Sequence, residues 1–353
     1  MNESWTKKQH IVPSTYLRYF VNDREKDRTF TSGTFIEYKQ KGKSKYKIVY
    51  NGTDSPKGFV KKMWYYETMD KYRKILENKN VVEKHLASIE NYYHKFMKPI
   101  YEARTADDVA NIPEETLEYC YHFFAVLLLR TPFFINLLEN TATLFAEKIQ
   151  EEDTENAGCI LSKKAFTQII MREDLGEQLR KICNSITIYL APEGKCFFTN
   201  DNPVIIDCYT PYPQCTVPIS PKMAIKFHKT PKTKISVKTI GIRHINIINR
   251  NLIISAKDKF LLPCGKLKEK ELVERAHKER RKIQNRKSSL YDNAIIGKLM
   301  IAFSTNNQEE FEKILECNNF TKEEKMIIRF WSILISKTMN SYVRVSSISM
   351  TNL

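Results

Sequence analysis

The stretch Ser185–Tyr209, "SITIYLAPEGKCFFTNDNPVIIDCY", decides the fold class. Its β-branched and aromatic residues fall in short runs. Between the runs stands turn chemistry, first Pro192-Glu193-Gly194 and then Asn200-Asp201-Asn202-Pro203. That pattern predicts strand, turn, strand, tight turn, strand. "CTVPISPKMAIKFH" (Cys215–His228) continues in the same style, and "IGIRHINIINRNLIISAKDKFLL" (Ile240–Leu262) reads as a further strand followed by a helix from Asn246.

Working outward, the preceding text is helical. In "NVVEKHLASIENYYHKFMKPIY" (Asn80–Tyr101), Val82, Leu86, Ile89 and Tyr93 recur at three- and four-residue steps, the period of a helix face. "NIPEETLEYCYHFFAVLLLRTPFFINLLENTATLFAEKI" (Asn111–Ile149) opens with Pro113, Glu114 and Glu115, a favourable helix start. Beyond it the text is apolar nearly all round, as expected of the buried centre of a bundle. A further helix is expected over Lys163–Cys183.

The first segment, residues 9–50, reads as strands joined by turns, with Tyr46, Ile48 and Tyr50 alternating on one face. Lys39, Lys41, Lys43, Lys45 and Lys47 also fall at a spacing of two, which would place them on one strand face if the strand runs that far. Such a stripe suits a solvated edge that resists strand pairing as well as it suits a nucleic-acid surface. Past Lys266 the text is helical and highly charged, "KLKEKELVERAHKERRKIQNRKSSL", with Glu and Lys/Arg at helical pair spacings. Thr321 and Glu324 form a capping-box arrangement ahead of "MIIRFWSILI".

Together these elements predict an α+β protein. A helical bundle packs on an antiparallel or mixed β-region made by the N-terminal segment and residues 186–240, and a helical C-terminal extension follows. The expected division is 1–265 and 266–353.

Composition bounds the function. The chain has 353 residues, 42% of them hydrophobic, so it can bury a substantial core. Gly is scarce, and neither GxxxxGK[ST] nor GxGxxG occurs, which argues against P-loop and Rossmann nucleotide sites. The eight cysteines (Cys120, Cys159, Cys183, Cys196, Cys208, Cys215, Cys264 and Cys317) form no CxxC or zinc-finger spacing and read as reduced core residues. No secretory h-region is present, and "FFAVLLL" (Phe123–Leu129) is far short of a membrane span. The expected location is the cytoplasm. The formal charge of +16 favours nucleic acid, nucleotides or other anions as partners. The window from Cys208 to Lys257 holds nine Lys or Arg and no Asp or Glu. Within it, Lys222, Lys226, Lys229, Arg243 and Arg250 are the candidate nucleic-acid contacts. A protein partner on the same surface, or on the basic stretch Lys266–Lys287, is the other expectation.

Several polar residues stand out as candidates for chemistry. In "FFTNDNPVII" (Phe197–Ile206), Asp201 and Asn202 sit between two apolar runs. Asn and Asp favour tight turns by bonding their own backbone, yet a short polar tip also presents a carboxylate to a cleft. His10 in "KKQHIVPSTYLRYF" (Lys7–Phe20) is similar to the HHxxP-like opening of some ββα-metal nucleases, although no NLxxLCxxCN-like segment follows. Glu83 and Glu90 are seven apart and project from nearly one helix face. Arg130, inside an apolar helix, must be paired or face a cavity. Its natural partners are Glu90 and Asp201, and a phosphate or carboxylate would also satisfy it. Ser88, Ser162 and Ser220 lack a GxSxG context. The chemistry these groups suit is a nucleic-acid- or nucleotide-directed hydrolase, a nuclease-like effector of the kind used in phage defence. His10 would be base or ligand, Glu90 and Asp201 acid/base groups or ligands of a divalent metal, and Arg130 the phosphate clamp. The alternative is a non-catalytic binding module with a basic surface.

Seven segments in order resemble the bacterial domain of unknown function 4238 (DUF 4238). They are the Lys7–Phe20 segment, "WYYE" (Trp64–Glu67), "VEKHLASIE" (Val82–Glu90), "RTPFF" (Arg130–Phe134), "FFTNDNPVI", "PISPKMAI" (Pro218–Ile225) and "INRNLIISAKDKF" (Ile248–Phe260). The resemblance covers roughly residues 5–262. It implies that His10, Glu90, Arg130, Asp201, Asn202 and Asn249 belong to the family's polar pattern. The family often has a Gln before the Arg-Thr-Pro segment, where this chain is apolar, and it carries no established reaction.

Overall fold

The computed structural model describes residues 8–21, 30–40, 43–54, 61–63, 80–131, 154–207, 214–263, 270–284 and 307–320, with scattered helical positions between 134 and 143 and between 295 and 332. Trp64–Glu67, Cys208, Cys264 and the expected capping box at Thr321 and Glu324 lie outside the described residues.

The chain is α+β. It opens with β1 (Lys8–His10), α1 (Ser14–Leu17) and a 3-10 turn (Arg18–Phe20), followed by β2 (Phe30–Gln40), β3 (Lys43–Asp54) and β4 (Lys61–Met63). The helical block comprises α2 (Val81–Glu90), α3 (Tyr93–Glu102), α4 (Ala106–Ala110), α5 (Glu114–Leu129), α6 (Thr154–Ile170) and α7 (Leu175–Ile182). Then come β5 (Ser185–Leu190), β6 (Thr199–Asn200), β7 (Ile205–Asp207), β8 (Gln214–Ser220), β9 (Met223–His228) and β10 (Ile235–Thr239). The order ends with α8 (Ile242–Ser255), β11 (Lys259–Leu262), α9 (Lys270–Gln284) and α10 (Gln308–Cys317).

Helix α5 is the centre of the larger core. Pro113 is extended at its N-cap, Glu114 and Glu115 occupy the first turn, and every residue from Phe123 to Leu129 is buried. Its aromatic side chains meet the sheet, with the Phe227 ring 5.2 Å from Tyr121 and 5.6 Å from Phe124. The same strip of chain meets α7 so closely that a Cβ on Gly176 would stand 2.8 Å from the His122 backbone nitrogen.

That sheet has the order β10-β5-β9-β8-β7, with β10 parallel to β5 and the other pairs antiparallel. Ile186, Ile188, Cys215, Val217, Ile225 and Phe227 form its apolar face and are buried in the larger core. A second, antiparallel sheet has the order β3-β2-β11-β6. Between the sheets lies the smaller core, where Ile245, Ile248, Leu252 and Ile253 of α8 pack with Phe197, Phe198 and Phe260.

The N-terminal segment and residues 186–240 build the β-region together, as expected. Strand β2 joins them through β11, which pairs with β2 on one side and β6 on the other, while the remaining strands of 186–240 form the five-stranded sheet. The turn expected at Asn200–Pro203 is no hairpin turn: β6 and β7, on its two sides, belong to different sheets. The helix expected from Asn246 begins at Ile242, after Gly241. The lysine stripe is broken by the β2–β3 connection. Lys45 and Lys47 oppose Tyr38 and Ile36, whereas Lys39 opposes Ser44 and so lies on the other face. Of the described cysteines, Cys120, Cys183, Cys196 and Cys215 are buried, reduced thiols, while Cys159 and Cys317 are exposed rather than in a core.

The N-terminal segment is held from both sides. Ile11, Val12, Tyr16, Leu17 and Phe20 are buried. The Tyr16 hydroxyl donates to the Pro218 carbonyl at 2.6 Å and stands 2.8 Å from the Thr199 hydroxyl. Tyr19 stacks on Tyr101 with ring centroids 4.1 Å apart, and Tyr101 donates to the Ile219 carbonyl at 2.7 Å. Helix α9, beyond the expected 265/266 division, contributes Val273 and Ala276 to the smaller core. Its Arg280 guanidinium lies 4.2 Å over the Phe35 ring. Among the described residues no helix is long and apolar enough to cross a membrane.

Gly33 of β2 stands opposite Phe260 of β11, whose ring lies over it. A Cβ there would come within 2.1 Å of the ring's Cζ. Gly33→Val should therefore destabilise the protein by about 1–3 kcal/mol, the usual cost of overpacking. Combined with Phe260→Ala it should cost less than the sum of the two single changes. Denaturant unfolding of the three variants measures this, and strict additivity would contradict the contact.

Candidate functional site

Arg130 and Glu90 meet. Helix α5 ends at Arg130, whose amide closes the last turn on the Val126 carbonyl, and α2 ends at Glu90. The Arg130 Nη1 donates to Glu90 Oε1 at 2.6 Å, with side-chain exposures of 2% and 17%. The pair lies at a narrow crevice, too tight to hold a water molecule, whose other lining residues are Pro13, Leu86, Ile89, Phe123, Val126 and Leu127. Among the lining residues is Pro13 of the N-terminal segment, three residues after His10. His10 ends β1 opposite Lys61 of β4, and its side chain lies outside the described residues. Close by, Tyr119 donates its hydroxyl to the Ile89 carbonyl at 2.8 Å. Burial, followed by the charge of Glu90, holds the Tyr119 phenol protonated well above its ordinary range. Glu83 lies in the first turn of the same helix as Glu90.

Asp201 is differently employed. Its Oδ1 accepts from the Lys257 amide at 2.8 Å, and its Oδ2 accepts from the amides of Asp258 at 2.6 Å and Lys259 at 3.0 Å. None of its hydrogen bonds involves Arg130 or Glu90. Asn202 donates its amide to Asn200 Oδ1 at 2.9 Å and its Nδ2 to the Ser255 carbonyl at 3.3 Å. Asn200, which the sequence did not single out as a separate group, donates to the Leu252 carbonyl and to the Ser255 hydroxyl. Asn249 completes the set: it accepts from the Phe198 amide at 2.9 Å and donates to the Cys196 carbonyl at 2.8 Å. These four polar side chains bind backbone groups of the crossover between the sheets, the end of α8 and the start of β11. They form a clasp rather than a cleft.

Burial pushes the Asp201 carboxyl up to about 6, against the pull of the three amides.

The basic candidates divide. Arg250 pairs with Glu279 of α9 through two hydrogen bonds, one of them Nε to Oε2 at 2.8 Å, and so ties α8 to α9. Lys222 and Lys229 are exposed, each with one proton on a carbonyl, that of Lys195 at 3.1 Å and of Lys181 at 2.9 Å. Arg243 is exposed in the first turn of α8, and Lys226 lies half-buried within β9. A pair that sequence reasoning missed is Thr187 and His228, with Oγ1 and Nε2 2.9 Å apart. The signal for it was present in "SITIYL" and "MAIKFH", where polar residues alternate with apolar ones. Among the described residues no three His, Cys, Asp or Glu side chains stand together as a metal site.

Two outcomes follow for the clasp. Asp201→Ala should destabilise the protein by at least about 3 kcal/mol, at ~1 kcal/mol for each orphaned amide, as read by denaturant unfolding. Carbon-detected NMR should place the Asp201 carboxyl midpoint near pH 6. Because that value lies above the unfolded one, the folded chain holds the proton more tightly. The group's contribution to stability is thus full below pH ~4, falls as pH rises through about 6, and is constant above. A midpoint near 4 would contradict the effect of burial.

No curated protein and no solved structure matches this chain. Residues 8–262 match a family described as "Protein of unknown function (DUF4238)". The match ends at the last residue of β11, so it takes in the clasp, the Arg130–Glu90 pair and both sheets, and the chain belongs to the DUF4238 family.

Proposed function

We propose that the protein binds nucleic acid through the basic surface formed by β9, the segment after it, the edge strand β10 and the first turn of α8. The observation that carries this is contiguity. The acid-free window of the sequence becomes consecutive elements at one edge of the five-stranded sheet, and Lys229, Lys232, Lys234, Lys238 and Arg243 are all exposed there. Cations so arranged release condensed counterions when they meet a phosphate backbone, which gives affinity without base recognition. Arg250 is outside this surface because Glu279 holds it.

Fluorescence anisotropy with a labelled single-stranded oligonucleotide tests the reading. Affinity should fall steeply with salt, and Lys238→Glu combined with Arg243→Glu should weaken binding and flatten the salt slope by about 1 per lost phosphate contact. No binding at about 50 mM salt, where such contacts are strong, would overturn it.

A second reading, hydrolysis of the bound nucleic acid or a nucleotide, is favoured by one observation: a nearly fully buried Arg130 held by Glu90 at 2.6 Å in a crevice beside the His10 segment. Arg130 would clamp a phosphate, and Glu90 and His10 would serve as acid/base groups or ligands of a divalent metal. Loss of integrity of a labelled DNA or RNA with added Mg²⁺ or Mn²⁺, abolished in Glu90→Gln with the fold intact, would support it. Binding without any cleavage across both metals would leave the binding function alone.

A further inference from the structure

Strands β2 and β3 pair with each other over more of their length than their sheet uses. The pairing runs from Phe30 opposite Asp54 to Gln40 opposite Lys43. Strand β11 covers β2 only from Thr31 to Thr34, and the Asp258 carbonyl then accepts from the Phe35 amide at 2.9 Å. From Ile36 to Gln40, β2 has no strand partner but β3 among the described residues, and β3 is the edge strand. The last five residue pairs are therefore a two-stranded ribbon, roughly 17 Å long at ~3.4 Å per residue.

The two faces of the ribbon differ. Cross-strand partners share a face, and successive residues alternate. One face begins with Phe35 and Ile48, which pack in the smaller core, and continues through the pairs Glu37–Tyr46 and Lys39–Ser44. The other holds the pairs Ile36–Lys47, Tyr38–Lys45 and Gln40–Lys43. The three lysines that follow the β2–β3 connection thus keep one face of one strand, and no Asp or Glu position falls on that face of the ribbon. At its base Ile36 and Lys47 are both exposed.

We propose that this ribbon is an arm that enters the major groove of duplex DNA, with the face of Lys43, Lys45 and Lys47 against the groove. Three features point there. First, the dimensions agree: two strands ~4.8 Å apart, flanked by side chains, suit a groove about 12 Å wide that admits a two-stranded ribbon. Second, the residue types on that face are those that read base edges. Lysine donates to guanine, glutamine bonds adenine bidentately, and an apolar side chain such as Ile36 suits the thymine methyl. Third, packing does not account for the ribbon's length, because two strands with no third strand or helix are marginally stable in water. Lysines on an edge strand also resist unwanted pairing. That role does not require a face of one sign, and solvated faces elsewhere in the chain mix signs, as in Arg275–Glu271 of α9 and Lys313–Glu310 of α10.

The choice of a nucleic acid rests on the reading proposed above, but the ribbon belongs to the other sheet, so the two surfaces fail separately. Fluorescence anisotropy compares a short labelled DNA duplex, the RNA duplex of the same sequence and the single strand, each with the full-length chain. Lys45→Glu with Lys47→Glu, and the milder Lys45→Gln with Lys47→Gln, are set against the charge-matched control Lys95→Glu with Lys98→Glu on α3. Each variant is checked for a native melting transition. The glutamate pair should weaken binding of duplex DNA at least about tenfold and lower the salt slope by about 2, one for each lost contact. The glutamine pair should weaken it less, and the control should leave it unchanged. The RNA duplex should bind more weakly, because its deep, narrow major groove excludes side chains. Equal affinity for the two duplexes, or duplex binding that survives the glutamate pair, would overturn the arm. Duplex binding lost only in Lys238→Glu with Arg243→Glu would also overturn it and leave the sheet-edge surface standing. Duplex binding through the ribbon with no single-strand binding at low salt would uphold the arm and overturn the sheet-edge surface. No binding to any of the three would overturn both.

Discussion

The structure depends on one carboxylate placed where the chain changes sheets. Between Asn200 and Ile205 the backbone leaves the sheet of β11 for the sheet of β8. At the same place the chain turns from α8 into β11. Amides in such a corner have no ladder to join, and a buried unpaired amide is costly. Asp201 supplies acceptors for three of them at once. Asn200 and Asn202 bond the last turn of α8 at its carbonyls and Ser255, and Asn249 reaches back from α8 to Cys196 and Phe198. The smaller core forms around this polar clasp, and its position fixes how the N-terminal strands, through β11, are joined to the remainder of the molecule.

The same physics makes Arg130 a different kind of residue. Asp201 is buried among amides, which are neutral and cannot leave. Arg130 is buried against a counter-charge, Glu90, beside a narrow crevice. Removing one member of such a pair leaves the other uncompensated, so structural and ligand-binding roles both constrain the site. A ligand role would require the crevice, too tight for a water molecule as it stands, to widen around Glu90 and Arg130. No comparable opening is needed to account for Asp201, whose oxygens are already engaged.

Much of the architecture was legible because it is written in local periodicity. Helix α5 announces itself through Pro113, two glutamates and an apolar run, and β5, β8 and β9 through alternation. What the sequence could not reveal was pairing. "FFTNDNPVII" has the composition of a hairpin, since Asn and Asp satisfy their own backbone in turns. Whether the two flanking runs pair with each other or with distant strands is decided by β11, about 60 residues on, a separation that local patterning does not reach. The lysine stripe failed for a related reason: period-two spacing survives a turn in the text but not in space.

Candidate residues were legible in kind more than in role. Polar residues in apolar surroundings mark positions where something must be satisfied, and Glu90, Arg130, Asp201, Asn202 and Asn249 all proved to be such positions. The sequence alone could not say whether the satisfying group is backbone, a side chain or a ligand. Arg250 illustrates the limit, because it belongs to the basic window by composition and to an α8–α9 tie by geometry. Conversely, Thr187, Ser236 and His228 sit in unremarkable alternating text, and only strand register brings them together. A charge surplus of +16 is thus informative once it is divided by what each cation already holds. Lys229, Lys232, Lys234, Lys238 and Arg243 are the exposed cations that the fold, not composition, brings to one edge of the sheet.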